Sequence, residues 1–482
     1  MSDLPRSKAR LMHLVFANGV LEKVVVSVLM MTLALLLSGC SKPKDFVRPD
    51  PPVPVQWPSV PNIQGTEDAA KIHWKTYFKD PRLQALIQAA LQYNRDMRIA
   101  AARVEESRAQ YAVVRADRFP VVNLLGSATY TGTPNDLTNA ATPSTYTRYD
   151  MNITSVSYEV DFWGRLSKLS EAAKNNFLSS QEAQRTFQLS LISEVANAYF
   201  SLLQFEELAS LAQDTMASRQ ASLGVIGKGR DVGGSYDFEV EQARSSLEAA
   251  RSTLDSLEHQ RNITQNRLNY LVGDVPKALP KGLNLNQQGL DADLSPGLPS
   301  EILLLRPDVM AAEQRLRAAH ANIDAARAAF LPKVMLNAGV GVASQGLSTL
   351  FSGAAWSFVP SLTVPIFNGG KLAASVDLAE VRKVIAVAEY EKTIQLAFRE
   401  VADLLSARSS LSKQMHSAQL NEKAQIKRLE IATARNKVGL TGYLEVLDSQ
   451  RDVVSAQLGT TQIRRAQLEA SAQLYKALGG GA

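Results

Sequence analysis

One ordered set of motifs occurs twice in this chain, and the repeat restricts the possible folds more than any other feature of its 482 residues. Such a repeat indicates two copies of one structural unit rather than a single continuous core. Glu-Val-Ala, for example, occurs at 194–196 and again at 400–402. The other recurring residues are Asp96, Arg103, Arg115 and Pro120 in the first copy and Asp308, Arg315, Arg327 and Pro332 in the second.

Each copy begins with a predicted helix, over about 82–118 and 299–329, which is followed by a strand pair. Apolar residues at every second position predict strands that have one apolar side. The return strands are predicted over about 147–162 and 355–367, with a bulge near Ser155. The apolar side comprises Val122, Leu124, Gly126, Ala128 and Tyr130 in the first strand and Val334, Leu336, Ala338, Val340 and Val342 in its counterpart.

A long helix and a return helix complete each copy. Residues 166–226 and 372–436 contain no proline, so each stretch is predicted to be one helix of roughly 90 Å. Apolar residues in alternating steps of four and three are typical of a coiled coil, in which helices pack lengthwise. Glycine-containing turns at 227–235 and 436–442 are predicted to reverse the chain into the return helices.

Cys40, the only cysteine, follows a basic start and a short apolar stretch, a pattern that predicts an export signal over 1–39. Leu-Ser-Gly-Cys resembles a bacterial lipobox, which implies cleavage before Cys40 and diacylation of its sulfur. By the same resemblance, Ser41 implies sorting to the outer membrane. The alternative is a secretory signal with an incidental cysteine. Seven prolines in 43–61 predict an extended tether.

Composition argues against several functional classes. The formal net charge is +5 without a basic block, so the sequence does not indicate nucleic-acid binding. With one cysteine and five scattered histidines, no disulfide framework or thiolate metal site is expected. No phosphate-binding loop is present. We therefore expect no enzyme activity, and no cofactor beyond a covalent lipid on Cys40.

Four predicted strands cannot close a membrane barrel by themselves, and open strand edges cannot face lipid. Several copies must then contribute: two would give about eight strands and three about twelve. The residues alone do not choose between these numbers. Trp163 and Trp356 lie at opposite ends of the strand pairs, so both are predicted membrane-interface aromatics.

The chain resembles the TolC/OprM-type outer-membrane efflux family, in its lipoprotein (NodT-type) branch. The resemblance covers residues 40 to 478. It implies a mixed α and β fold: a trimeric twelve-stranded outer-membrane β-barrel with four strands per chain, continued by a long periplasmic α-helical barrel. The motifs that carry the resemblance are the lipobox, Asp161 to Arg165, Leu305 to Val309 with Glu313, Pro365 to Gly370, and Val438 to Arg451.

The same resemblance implies a small equatorial α/β region, supplied by 45–80, 275–298 and the tail. We accordingly divide the chain into six segments with an internal two-fold repeat. They are a signal peptide (1–39), a lipidated tether and equatorial segment (40–80), repeat 1 (81–274), an equatorial linker (275–298), repeat 2 (299–478) and a C-terminal tail (479–482).

The two glycine turns are the predicted contact tips for a periplasmic adaptor protein, because in the family the Val-Gly-Leu-Thr tip meets an adaptor hairpin. A local explanation accounts for the same residue types: Gly439 can take a positive φ, and Thr441 can cap the next helix, whose apolar face begins at Leu444. The predicted contact residues are Val438, Gly439, Leu440 and Thr441 in the second copy and Val232, Gly233 and Ser235 in the first.

Leu444, Glu445 and Asp448 share one helical turn just after the second tip. By resemblance, matching positions form the periplasmic gate, and three carboxylates around a narrow axis would concentrate cations. The alternative is that both acids are solvated charges favoured by the helix dipole. In the first copy the matching residues are Phe238, Glu239 and Gln242, so Asp448 has no acidic counterpart.

The family implies a passive exit duct for drugs or other toxic compounds within a tripartite efflux pump. Its partners are then two further copies of this chain, a periplasmic adaptor protein, an inner-membrane pump of the resistance-nodulation-division type and outer-membrane lipid. The implied location is the bacterial outer membrane, with a lipid anchor and an extension into the periplasm. Two alternatives are the duct of a protein-secretion system and a lipid-anchored coiled-coil scaffold without a pore.

Overall fold

The computed structural model describes most of the chain after residue 44. The described residues are 45–54, 56–57, 67–68, 72–134, 136, 145–233, 236–290, 294–295, 299 and 303–480. Cys40, the predicted signal over 1–39 and Ser235 therefore lie outside them. The chain forms two units, residues 1–47 and 48–482, and all elements below belong to the second.

The described elements follow one order twice: helix, two strands, long helix, return helix. The helices are α1 (Trp74–Tyr77), α2 (Pro81–Tyr93), α3 (Arg95–Ala116), α4 (Arg165–Asp231), α5 (Asp237–Val272), α6 (Pro307–Ala328), α7 (Lys371–Lys437) and α8 (Tyr443–Ala477). The strands are β1 (Glu67–Asp68), β2 (Val122–Gly132), β3 (Thr145–Val160), β4 (Leu294–Ser295), β5 (Lys333–Ser344) and β6 (Ala354–Thr363).

The prediction of one unbroken helix over 82–118 is wrong, because Asn94 ends α2 and begins α3. Its side-chain oxygen accepts from the backbone N–H of Met97 at 2.8 Å, and its amide donates to the Leu271 carbonyl at 2.8 Å. Helix α6 starts at Pro307 rather than at 299. Proline suits the first helical position, and it holds the preceding Arg306 extended.

Four strands form one antiparallel sheet in the order β2-β3-β5-β6. The pairing of Leu124 with Ile153 and of Val340 with Trp356 places the predicted apolar side chains on one face. This apolar face carries no charged residue and is exposed in the single chain, where Leu124 is 66% exposed. The opposite face, here called the polar face, includes Asn123, Ser127, Thr129, Arg148, Asp150, Asn152, Thr154, Asn337, Ser357 and Ser361.

The predicted bulge is confirmed, because the pairing of β3 with β5 shifts between Ser155 and Tyr158. Ser157 has a φ of 57°, and its N–H donates to the side-chain oxygen of Asn337 at 2.7 Å. Strand β6 ends at Thr363 rather than at 367. Pro365 follows two residues later, and it has no N–H to donate to a neighbouring strand. Pro360 lies within β6 and is tolerated because β6 is an edge strand.

The long helices α4 and α7 confirm the proline-free prediction, and each has 67 residues. At 1.5 Å per residue each extends about 100 Å. Leu191, Val195 and Leu202 of the predicted coiled-coil stripe are buried. Helix α4 runs to Asp231 before it turns, four residues beyond the predicted start of that turn.

Two segments that are distant in sequence meet beside the middle of the long helices. β1 pairs in parallel with β4, which joins the predicted equatorial segments. Asp80 is fully buried and accepts from Tyr199 at 2.9 Å, Leu283 N at 3.0 Å and Gln288 at 2.8 Å. Burial and the nearby Asp80 carboxylate raise the pKa of the Tyr199 phenol, so the phenol keeps the proton that it donates at neutral pH.

The segment predicted as a free tether is attached to the helices over part of its length. Arg48 forms an ion pair with Glu313 at 2.9 Å, and the Trp57 ring stacks on Phe398 with centroids 4.9 Å apart. The ion pair with the buried Glu313 carboxylate and the ring stacking on Phe398 stabilise the attached conformation. They offset the chain entropy that is lost when the segment becomes ordered.

Among the described helices, none is long and apolar enough to cross a membrane.

Candidate functional site

The second tip, residues 436–444, is a tight turn between α7 and α8. Gly439 has a φ of +76°, which confirms the predicted positive φ at the helix end. Its N–H donates to the Asn436 carbonyl at 2.9 Å, and Leu440 N donates to the Arg435 carbonyl at 2.9 Å. These bonds satisfy the last carbonyls of α7, and Val438 and Leu440 are left exposed at the end of the molecule.

Thr441 does not cap α8, contrary to the local explanation. The residue at the cap position is Gly442, and the Thr441 hydroxyl oxygen is buried without a hydrogen-bond partner among the described residues. The Asn436 side chain donates to the Thr441 carbonyl at 2.9 Å, and this bond stabilises the turn as far as Thr441. Leu444 does not begin the buried face either, because it is 53% exposed while Val446 is buried.

The two predicted gate carboxylates lie on one turn of α8, and both have basic neighbours. Glu445 is 3.6 Å from Arg435 of α7, and Asp448 is 3.6 Å from Arg451. Sequence reasoning missed both arginines as partners, although the three-residue spacing of Asp448 and Arg451 is a known helical pairing signal. Glu445 and Asp448 are about half exposed. The arginines therefore weaken the electrostatic field of the two carboxylates in water but do not cancel it.

At the first tip, the described residues Val232 and Gly233 have nearly the same backbone angles as Val438 and Gly439. Gly233 also has a φ of +76°, and Val232 is exposed. Glu239 accepts from the backbone N–H of Tyr236 at 3.3 Å in a capping box, so it closes the start of α5. Glu445, its counterpart, points to an arginine instead.

Both tips border one cleft of about 800 Å³, which is floored by the last turns of α4. Phe238 and Gln242 of the first copy and Leu444 and Leu447 of the second line it. Deeper along the same helices, Arg219 of α4 donates to Gln450 of α8 at 2.5 Å. Arg219 is only 8% exposed, and burial lowers the pKa of its guanidinium.

Trp163 and Trp356 lie at opposite ends of the sheet, but in different environments. The Trp163 indole N–H donates to the Pro332 carbonyl at 2.7 Å and ties β5 to the start of α4. Gly164 has a φ of +74°, and Asp161 accepts from the N–H groups of Leu166 and Ser167, so this motif forms the expected sharp turn. Trp356 is 80% exposed and has a free ring face.

Sequence reasoning missed the most exposed apolar residues near the helix end of the sheet. Phe162, Ile366 and Phe367 project from the loops that join strands to helices, and Ile366 is 96% exposed. Alternation placed Ile366 within the predicted return strand 355–367, but Phe162 and Phe367 lie in turns and gave no periodic signal. Phe162 precedes Trp163, and Ile366 and Phe367 lie in the corresponding strand-to-helix loop of the second copy.

Within the described ranges, no group of three or more histidine, cysteine or acidic residues could hold a metal ion.

The sequence matches the family described as outer membrane efflux protein over residues 86–274 and 298–480. It is 41% identical over 461 residues to the solvent efflux pump outer membrane protein SrpC of Pseudomonas putida, with 93% of this chain and 96% of SrpC covered. It is 39% identical over 455 residues to the cation efflux system protein CusC of Escherichia coli, with 93% and 98% covered.

Among solved structures, the fold is similar to the open state of the MtrE outer membrane channel of Neisseria gonorrhoeae. The TM-score is 0.85 at 34% identity, and the match covers 92% of this chain and 98% of MtrE. The chain therefore belongs to the outer membrane efflux protein family.

This family consists of outer-membrane channels for efflux rather than enzymes, and the mixed α and β fold with mostly helical content is the one these channels share. The protein is accordingly an efflux channel of the outer membrane. The relatives are named for efflux, which favours this function over secretion ducts and poreless scaffolds.

Proposed function

We propose that three copies of this chain form one duct, in which twelve strands close a barrel in the outer membrane and the long helices close a tube in the periplasm. Toxic small molecules pass through it without energy input from this protein. Energy comes from an inner-membrane pump of the resistance-nodulation-division type, joined to the duct by a periplasmic adaptor protein.

The observation that carries this proposal is the four-stranded sheet. Its apolar face is uncharged and exposed in the single chain, its polar face carries amide, hydroxyl and charged side chains, and β2 and β6 each pair on one side only among the described residues. Such edges cannot be left open in lipid, because each unpaired backbone group there costs several kcal/mol. Edge-to-edge pairing with neighbouring copies removes the cost and turns the polar face inward.

The helices support the same assembly. α4 and α7 each pack along a return helix, and both emerge from the same sheet. Exposed apolar residues such as Val381 and Val384 remain along α7 in the single chain. In a ring they meet the next copy, and the internal two-fold repeat makes three copies close to six-fold symmetric.

The adaptor is proposed to bind the tips, through Val438, Gly439, Leu440 and Thr441 and through Val232, Gly233 and Ser235. Exposed Val438, Leu440 and Val232 support a docking role, because exposed apolar residues grouped at a turn are typical of an interaction surface. Leu444, Glu445 and Asp448 are proposed to line the periplasmic gate, one turn inside the tip.

The lipid anchor on Cys40 and the membrane-interface role of Trp163 and Trp356 are also proposed. Trp356 has the exposure that such a role needs, whereas Trp163 already uses its N–H inside the chain. We add exposed Phe162 and Phe367 to the interface group, since aromatic residues favour the boundary between lipid and water.

The substrate class is proposed as drugs, solvents or similar toxic compounds. SrpC is named for solvents and CusC for cations, and the identities of 41% and 39% are nearly equal. Overall similarity therefore does not select one cargo, and the pump is proposed to make the main choice among cargo molecules.

The test is complementation in a strain that lacks its own channel of this type. Restored growth in toluene and in several antibiotics, but not in a strain that also lacks the pump, supports the proposal. Purified protein should conduct ions in a planar bilayer. A chain that neither conducts nor restores resistance, although it is present in the outer membrane, contradicts the proposed duct.

A further inference from the structure

In the four-stranded sheet, charged residues occur only on the polar face, and they lie at its two ends. Glu159 and Lys333 are at the end next to the helices. Arg148 and Asp150 are at the other end of β3. Between them, the strands carry only neutral residues, such as Asn152, Thr154 and Asn337. Any electrostatic selection by the outer part of the sheet must therefore come from Arg148 and Asp150.

Arg148 and Asp150 form a close ion pair along one strand. They are two residues apart, so their side chains lie on the same face. Arg148 Nε is 2.9 Å and 3.0 Å from the two carboxylate oxygens of Asp150, and Nη2 is 2.8 Å from Oδ1. Thr129 lies opposite Arg148, and Ser127 and Ala343 lie opposite Asp150; all three are small and neutral.

The two partners are unequally exposed to water. The Arg148 side chain is 56% exposed, whereas the Asp150 side chain is only 12% exposed. The pair has no net charge, but its positive end faces water and its negative end is covered. A mobile ion at this surface therefore meets the guanidinium first.

We propose that Arg148 and Asp150 set the ion preference of the outer half of the duct, by presenting a ring of exposed guanidinium groups that favours small anions and anionic cargo. The inference rests on the proposed function, since it needs the polar face to line a lumen. Counter-ions are drawn to such a ring over about one Debye length, roughly 10 Å at 0.1 M salt.

The preference of this ring is opposite in sign to that of the proposed periplasmic gate, where Glu445 and Asp448 favour cations. The outer ring differs from the gate in mechanism as well. At the gate Glu445 and Asp448 are 41% and 45% exposed, so both carboxylates still act on ions in water, whereas at the outer ring Asp150 is only 12% exposed.

The test is the reversal potential of purified, full-length channels in planar bilayers under a KCl gradient. Arg148→Gln should shift it toward cations, and Asp150→Asn toward anions, each changing the permeability ratio about threefold at 0.1 M salt. The double swap Arg148→Asp with Asp150→Arg keeps the pair and the net charge. It should shift the ratio toward cations, because it exchanges the exposed and the covered charge. Thr129→Asn is the matched neutral control and should leave the ratio unchanged.

The shifts should nearly vanish at 1 M salt, where the Debye length is about 3 Å. If the wild-type channel conducts and all three charge variants keep its reversal potential, the inference is wrong. If the wild type does not conduct at all, the proposed duct itself is wrong, so the two failures are distinct.

A second measurement tests the same inference without the charge variants, in case these assemble poorly. A cysteine introduced by Thr129→Cys, beside Arg148, should react faster with an anionic than with a cationic thiosulfonate in whole cells. Equal rates with the two reagents would overturn the inference without any further variant.

Discussion

The two tips share the backbone conformation of a Val-Gly pair and use their side chains differently. Both place a glycine at a φ of +76° after a 67-residue helix. At the first tip Glu239 closes the start of α5, and Phe238 is 76% exposed. At the second tip Glu445 pairs across the turn with Arg435, and Asp448 adds an acid that the first tip lacks. The backbone conformation at the Val-Gly pair is therefore common to both tips, while the acid at the position of Asp448 is present only at the second.

The largest expected effect comes from the shared backbone turn. Gly439→Ala places a side chain at a φ that costs an L-residue roughly 1–2 kcal/mol, and Gly439→Val costs more. We expect Gly439→Val to lose adaptor crosslinking and most of the resistance in a complementation assay. Gly227→Ala is the matched control, because its added Cβ also meets open space but needs no positive φ. Full resistance with Gly439→Val would show that the turn is not a docking element.

The second-largest expected effect concerns the hydrogen bond from Arg219 of α4 to Gln450 of α8, which joins the two helical hairpins. Gln450→Leu removes the acceptor of a buried guanidinium, which typically costs about 1.5–3 kcal/mol. Hydrogen exchange near 215–225 and 446–454 should become at least about tenfold faster, since 1.4 kcal/mol corresponds to a factor of about ten. Gln457→Leu, two turns further along α8, is the control. Unchanged exchange near Arg219 would mean that this bond does not hold the hairpins together.

A third experiment tests whether charge distinguishes the tips. Asp448→Asn should weaken cation preference in bilayer recordings, and Arg451→Gln should strengthen it, because Arg451 offsets Asp448. Gln242→Asp gives the first tip the acid it lacks and should also strengthen cation preference. Identical selectivity in all three variants would remove Asp448 from the gate.

The smallest expected effect is a difference in stability loss between variants of Glu239 and of Glu445. Glu239→Ala removes a capping-box acceptor and should cost roughly 0.5–1 kcal/mol. Glu445→Ala removes a half-exposed pair at 3.6 Å and should cost less, about 0–0.5 kcal/mol. Thermal unfolding of the purified protein should rank the two variants in this order, and the reverse ranking would contradict the assigned roles.

Features with a local cause were predictable from the sequence. Alternation in 122–131 predicted the apolar face, the lack of proline predicted α4 and α7, and Gly439 predicted the positive φ. The lipidation site and the contacts of Ser235 stay predictions, since both residues lie outside the described ranges.

Features with a distant cause were not predictable. The break at Asn94 depends on a bond to Leu271, 177 residues away. The attachment of the tether depends on Glu313 and Phe398. The neighbours of the gate acids depend on how α7 and α8 pack at the turn, so Arg435 could not be paired with Glu445 from helical spacing alone.

Single-particle imaging of the full-length protein in detergent measures subunit number and lumen together. We expect three copies around one axis, with four strands from each and an open path from barrel to tips. A stable, membrane-inserted particle that contains a single copy, with β2 and β6 unpaired, would contradict it.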